Sequence, residues 1–96
     1  MITIKKITPE GAVKRSVKQY LRMRGWRIIT IMQGPLSERG VSDLICIKNG
    51  KVIFCEVKAP NGKQSEHQLD FQKSIEFHGG IYLFVRSLDD LLNAGY

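Results

Sequence analysis

Residues 40–58 read GVSDLICIKNGKVIFCEVK, the segment with the clearest structural pattern in the chain. Asn49-Gly50 at its centre is the strongest short-range signal for a two-residue hairpin turn. The apolar runs on both sides of this turn are typical of β-strands, and we place the strands at 42–48 and 51–58, with Pro60 ending the second. The stretch therefore predicts an antiparallel β-hairpin.

A two-residue turn also sets the register of the hairpin, so that Asp43 stands opposite Glu56. Directly opposed residues have Cβ atoms about 5 Å apart, and like charges in that position are destabilising. A divalent cation would explain the pair, because carboxylate oxygens suit Mg²⁺, which also keeps several waters. The alternative is a surface pair between Lys58 and Glu56 at a strand end, with Asp43 solvated nearby. On the same face as the carboxylates lie apolar residues that we expect a helix to cover: Ile45, Ile47, Val52 and Phe54.

Three further side chains are expected near this carboxylate pair. Lys58 lies two residues beyond Glu56 and therefore on the same face, where it could hold or deprotonate an attacking water. Glu10 projects near the buried side of the first predicted helix; alternatively it complements the helix dipole or pairs with Lys14 one turn later. Gln68 heads the inward row of a later helix, although on local grounds its place in a capping box is the better explanation.

The rest of the chain predicts three helices and two more strands. Thr8-Pro9 opens the first helix, Ser65 caps the second and Ser87 caps a short final one. The order is αβββαβα, and the crossover through the second helix makes the last strand parallel to the one before it. We therefore expect an α/β fold with a mixed sheet flanked by helices. The remaining elements are helices at 8–24 and 65–78, strands at 26–32 and 81–86, and a polar loop at 34–40 that contains Pro35.

Length and charge restrict the class of protein. Ninety-six residues make one domain, 1–96, and no apolar run is long enough to span a membrane or form a secretory signal, so we expect a cytoplasmic protein with no membrane partner. Residues 1–40 carry nine Lys or Arg against two Glu, a net charge of +7, whereas the remaining 56 residues sum to −1. Such a concentration is typical of a polyanion binder, although a solvated basic helix face has the same composition. The candidate nucleic-acid contacts are Lys14, Lys18 and Arg22, which repeat at i+4, and Arg39 in the loop.

Gly40-Val41-Ser42-Asp43, followed after one hairpin by Glu56-Val57-Lys58, resembles the PD-(D/E)XK nuclease motif. Residues 61–68 (NGKQSEHQ), Gly79-Gly80 and Val85-Arg86-Ser87 resemble one branch of that superfamily, the VRR-NUC domain. Because the likeness runs from Glu10 to about Leu92, the chain resembles a stand-alone VRR-NUC protein of the phage type. The sequence departs from the pattern at Ser42, where the family usually has proline.

The resemblance implies a restriction-endonuclease-like fold and Mg²⁺- or Mn²⁺-dependent hydrolysis of DNA, with branched DNA such as Holliday junctions or flaps as the substrate. It makes Asp43, Glu56 and the Val57 carbonyl the metal ligands, Lys58 the catalytic lysine, and Glu10 and Gln68 supporting site residues.

Symmetric cleavage of a junction needs two sites, which predicts a homodimer. The resemblance to the phage type also implies a location in the cytoplasm of a bacterium or phage-infected cell. The alternatives are a catalytically silent nucleic-acid-binding module with a nuclease fold and a nuclease that acts on RNA.

Overall fold

The computed structural model describes residues 6–34 and 37–96, so Pro35 of the predicted loop lies outside the described residues. The predicted order αβββαβα is confirmed. Element ends differ from the predicted ones by at most two residues, and the largest difference is the first strand, which begins at Arg27 and ends at Thr30. The elements are α1 (Pro9–Met23), β1 (Arg27–Thr30), β2 (Leu44–Lys48), β3 (Lys51–Val57), α2 (Glu66–Phe77), β4 (Ile81–Val85) and α3 (Leu88–Asn93).

The four strands form one sheet in the order β1-β2-β3-β4. β1 and β3 both run antiparallel to β2, while β4 runs parallel to β3 because α2 crosses over between them. The mixed sheet flanked by helices is therefore as predicted. In the described part of the chain, no helix is both long enough and apolar enough to cross a bilayer.

The hairpin has the register expected from its turn. Lys48 pairs with Lys51 and Leu44 pairs with Cys55. Asn49 and Gly50 both have positive φ, 50° and 80°, as a type I′ turn requires. One step beyond the Leu44–Cys55 pair, Asp43 comes opposite Glu56.

One face of the sheet carries the hydrophobic core, which α1 and α3 cover. Cys46 and Cys55 are both fully buried free thiols in this core. Burial raises the pKa of the Cys46 thiol to about 11 and raises the pKa of Cys55 further. Both cysteines are therefore unreactive packing residues. The other core residues are Val17, Leu21, Trp26, Ile28, Leu44, Ile53, Val57, Val85 and Leu91.

The opposite face, which bears Glu56, is only partly covered. Phe71 of α2 packs edge-on against Phe54 and Tyr82, with ring centroids 5.8 and 6.1 Å apart. α2 thus lies over β3 and β4, the two strands that its crossover connects. The expectation that a helix covers Ile45, Ile47, Val52 and Phe54 was wrong for Val52, which is 40% exposed; Ile29 of β1 is 38% exposed. Helical cover is therefore limited to the half of this face on which α2 lies.

Candidate functional site

Asp43 and Glu56 hold each other in place through the backbone. The Asp43 N–H donates to Glu56 Oε2 at 3.0 Å, and the Val57 N–H donates to Asp43 Oδ2 at 2.9 Å. These two bonds extend the β2–β3 pairing by one step, with side-chain oxygens as the acceptors. The two carboxylates therefore lie side by side, as the register predicts.

Burial gives Glu56 an unusual acidity. Its side chain is almost fully enclosed, with 3% of the residue exposed. Burial first, and then the neighbouring Asp43 carboxylate, raise the pKa of Glu56 from its ordinary 4.5 to about 7, while Lys58 acts in the opposite direction. Two adjacent carboxylates with so little solvent favour the binding of positive charge.

Gln68 contacts the site and also caps α2. Its side-chain Oε1 accepts from the Ser65 N–H at 2.9 Å, and its backbone N–H donates to Ser65 Oγ at 3.2 Å. The side-chain amide also donates through Nε2 to Glu56 Oε1. The two explanations offered by the sequence are thus both correct, because the cap orients the amide so that its nitrogen faces the carboxylate.

Two lysines flank the carboxylate pair. Lys58 Nζ lies 3.9 Å from Glu56 Oε1, on the face where the strand alternation predicts it. Lys14 Nζ lies 3.6 Å from Asp43 Oδ1. The i+4 spacing predicts Lys14 on a basic helix face with Lys18 and does not predict this contact with Asp43. The available signal was its position one turn after Glu10, since residues four apart project from the same side of a helix.

An open cavity of about 500 Å³ lies over these groups. Glu10 lines it, as predicted, but in the described residues no three carboxylate, histidine or cysteine side chains lie close enough together to hold a metal ion. Arg39 lines the cavity from the loop before β2, whereas the other predicted DNA contacts, Lys14, Lys18 and Arg22 on α1, are not among its lining residues. Lining residues that the sequence analysis did not single out are Gln33, Gly34, Ser37, Glu38, Val41 and His67.

Gly40 joins that loop to the start of α2. Its φ of +79° is in the left-handed region, and a Cβ at this position would lie 2.1 Å from the carbonyl oxygen of His67. Only glycine allows the two backbones to approach so closely. The contact sets the position of the α2 N-terminus, and hence of Gln68, relative to Asp43.

Ser42, the departure from the family pattern, is accommodated locally. It is fully buried, and its hydroxyl donates to the Leu44 carbonyl at 3.1 Å. With serine at this position, the next residue, Asp43, still lies beside Glu56.

Comparison with known proteins bears on the family. A solved structure described as "VRR_NUC domain" superposes with a TM-score of 0.79 at 28% sequence identity, covering 93% of this chain and 99% of that chain. Neither the protein-family models nor the curated proteins include a match. The structural match therefore confirms the nuclease-like, restriction-endonuclease-like fold expected from the sequence. This coverage, together with Asp43, Glu56 and Lys58 assembled at one site, supports a VRR-NUC domain protein.

Proposed function

We propose that this protein is a metal-dependent DNA endonuclease that hydrolyses phosphodiester bonds at the Asp43–Glu56 pair. The observation that carries the proposal is the carboxylate pair of buried Glu56 and partly buried Asp43, held by reciprocal backbone bonds with the Lys58 ammonium beside it. Two like charges shielded from solvent lower stability, and binding of a cation between them would offset that cost.

The donor set fits Mg²⁺ or Mn²⁺. Asp43 and Glu56 supply hard oxygen ligands, and the Val57 carbonyl is the third ligand we propose. Two carboxylates are enough, since Mg²⁺ usually keeps several waters and also binds substrate phosphates. The bound metal would polarise the scissile phosphate and lower the pKa of a coordinated water.

The chain's own residues then orient the reacting groups. The half-buried Lys58 ammonium can hold the attacking water or balance charge on the phosphate. Gln68 donates to Glu56 Oε1 while the Asp43 N–H donates to Oε2, and together they restrict the directions in which these oxygens face the cavity. Glu10, on the cavity wall, is available to accept a hydrogen bond from a water at the site.

The DNA partner is inferred from charge. Arg39 at the cavity, together with Lys18 and Arg22 along α1, offers positive charge to a phosphate backbone. Backbone contacts of this kind position a substrate without reading its sequence. We therefore propose recognition of DNA shape and, on the resemblance to VRR-NUC proteins, branched DNA as the substrate.

The first test compares the wild type with Asp43→Asn. The asparagine can still accept from the Val57 N–H but loses a negatively charged ligand, so we expect cleavage to fall by about 10³-fold. Labelled duplex, flap, four-way-junction DNA and single-stranded RNA would each be incubated with Mg²⁺, Mn²⁺ or EDTA. Cutting of junctions or flaps by the wild type alone, and only with metal, is the expected result. DNA binding without cutting in the presence of either metal would instead identify a catalytically silent binding module. Cutting of RNA alone would show that the substrate is RNA and not DNA.

Symmetric cleavage of a four-way junction needs two sites, and the described residues of one chain form one such carboxylate pair. We therefore propose that the protein acts as a homodimer. Light scattering at the concentration used for cleavage should give twice the chain mass of 10.9 kDa. A monomeric mass, with or without junction DNA, would contradict the dimer and leave the nuclease proposal standing.

A further inference from the structure

Lys14 contacts Asp43, and a role in binding the DNA backbone does not explain this contact. Its ammonium lies 3.6 Å from Asp43 Oδ1, with the Lys14 side chain 28% exposed and that of Asp43 18% exposed. The pair is therefore partly shielded from solvent. Lys18, the next residue of the same basic row, makes no ion pair within the described part of the chain.

The partners of the four carboxylate oxygens differ in kind. Asp43 Oδ2 accepts from the Val57 N–H, and Glu56 Oε2 accepts from the Asp43 N–H. Glu56 Oε1 accepts from the Gln68 amide and lies 3.9 Å from Lys58. Among the described residues, the recorded partner of Asp43 Oδ1 is Lys14 alone. Three oxygens are thus held by the backbone or by a capped amide, whereas the fourth is held by a flexible cation that can leave.

Resting on the proposed function, we propose that Lys14 is an exchangeable counter-ion. In the metal-free protein its ammonium neutralises Asp43 at Oδ1. When a divalent cation binds that oxygen, the ammonium is displaced, because two positive groups cannot both contact one oxygen without repulsion. Lys14 then turns to a phosphate oxygen of the DNA at the cavity.

This exchange couples the two ligands. Without DNA, Lys14 competes with the metal and weakens its binding. With DNA, the displaced ammonium has a phosphate partner, so each ligand promotes the binding of the other, and the coupling is reciprocal. Lys14 therefore contacts a DNA phosphate only in the metal-bound protein.

The first measurement is a Mn²⁺ titration in the absence of DNA. The concentration of free Mn²⁺ is read from its electron paramagnetic resonance signal. We expect Lys14→Gln to bind Mn²⁺ about two- to fivefold more tightly than the wild type, which is the range that a partly exposed ion pair contributes. Lys18→Gln is the matched control, since it removes the same charge from the next turn of α1, and its Mn²⁺ affinity should equal that of the wild type.

The second measurement is the salt dependence of binding to a labelled four-way junction, in a Lys58→Met background so that the DNA stays intact. Loss of one phosphate contact lowers the slope of log K against log salt by about 0.9. Lys14→Gln should lower the slope in Mn²⁺ and leave it unchanged in EDTA. Lys18→Gln should lower it equally in both.

The outcomes separate this inference from the proposed function. If the wild type does not bind Mn²⁺, both proposals fail. If it binds Mn²⁺ but Lys14→Gln leaves that affinity unchanged, the exchange fails and the nuclease proposal stands. A slope lowered in EDTA as well as in Mn²⁺, or in neither, would also overturn the exchange, because Lys14 would then contact phosphate always or never.

Discussion

Glu56→Gln is expected to abolish DNA cleavage and at the same time remove a large pH dependence from the stability of the metal-free protein. Cleavage should fall by about 10³-fold, because the amide is a poor ligand for a hard cation. At alkaline pH the variant should be more stable than the wild type, since the glutamine has no charge to bury.

The direction of the pH effect follows from the raised pKa. Because the pKa of Glu56 is raised from 4.5 to about 7 in the folded protein, the folded state retains between these values a proton that the unfolded chain releases. Its contribution to stability is complete below pH 4.5 and is lost as the pH rises through 7. At about 1.4 kcal/mol for each pKa unit, the loss is about 3 kcal/mol. The variant also loses a hydrogen bond, because its amide N–H₂ faces the Gln68 donor, at a cost of about 1 kcal/mol at every pH.

Urea denaturation in EDTA at pH 4 and at pH 8 measures this effect. The stability of Glu56→Gln relative to the wild type should improve by about 3 kcal/mol between the two pH values. Glu66→Gln, which removes an exposed carboxylate from the first turn of α2, controls for the change in net charge. Parallel pH profiles for the wild type and Glu56→Gln would contradict the assignment, as would an active Glu56→Gln enzyme.

Gly40→Ala is expected to disrupt the site from outside it. The new methyl group would overlap the His67 carbonyl, so the loop and the α2 N-terminus must separate. The positive φ costs about 1 kcal/mol for alanine, and forcing extra atoms into packed structure typically costs about 1–3 kcal/mol. A shift of the order of 1 Å at a catalytic group can cost about 100-fold in rate, and we expect a loss of that size from the displacement of Gln68.

A control lies at the other end of the same helix. Gly79 has a φ of +80°, and a Cβ there would meet nothing within 4 Å. Gly79→Ala should therefore cost about 1 kcal/mol of stability and leave cleavage unchanged. Comparing the cleavage rates and the urea midpoints of the two variants checks the prediction; equal rates would show that the Gly40 contact does not matter. Gln68→Ala keeps the test decisive if Gly40→Ala does not fold, since it removes the amide without moving the loop.

The carboxylate pair could be predicted because every step toward it is local. Asn49-Gly50 specifies a two-residue turn, the turn specifies the register, and the register brings Asp43 opposite Glu56. Strand alternation then places Lys58 beside Glu56. The capping box likewise predicted the start of α2, because its bonds join residues three apart in sequence.

The chain by itself therefore determined the order of the elements, the hairpin register and the carboxylate pair. The tertiary structure alone decided that Lys14 reaches Asp43, that Gly40 touches His67 and that α2 covers only part of its sheet face. These features depend on how each helix is rotated about its axis and where it lies against the sheet. Packing over the whole chain sets both, since periodicity defines the apolar stripe of a helix but not the point at which a long side chain beside that stripe ends.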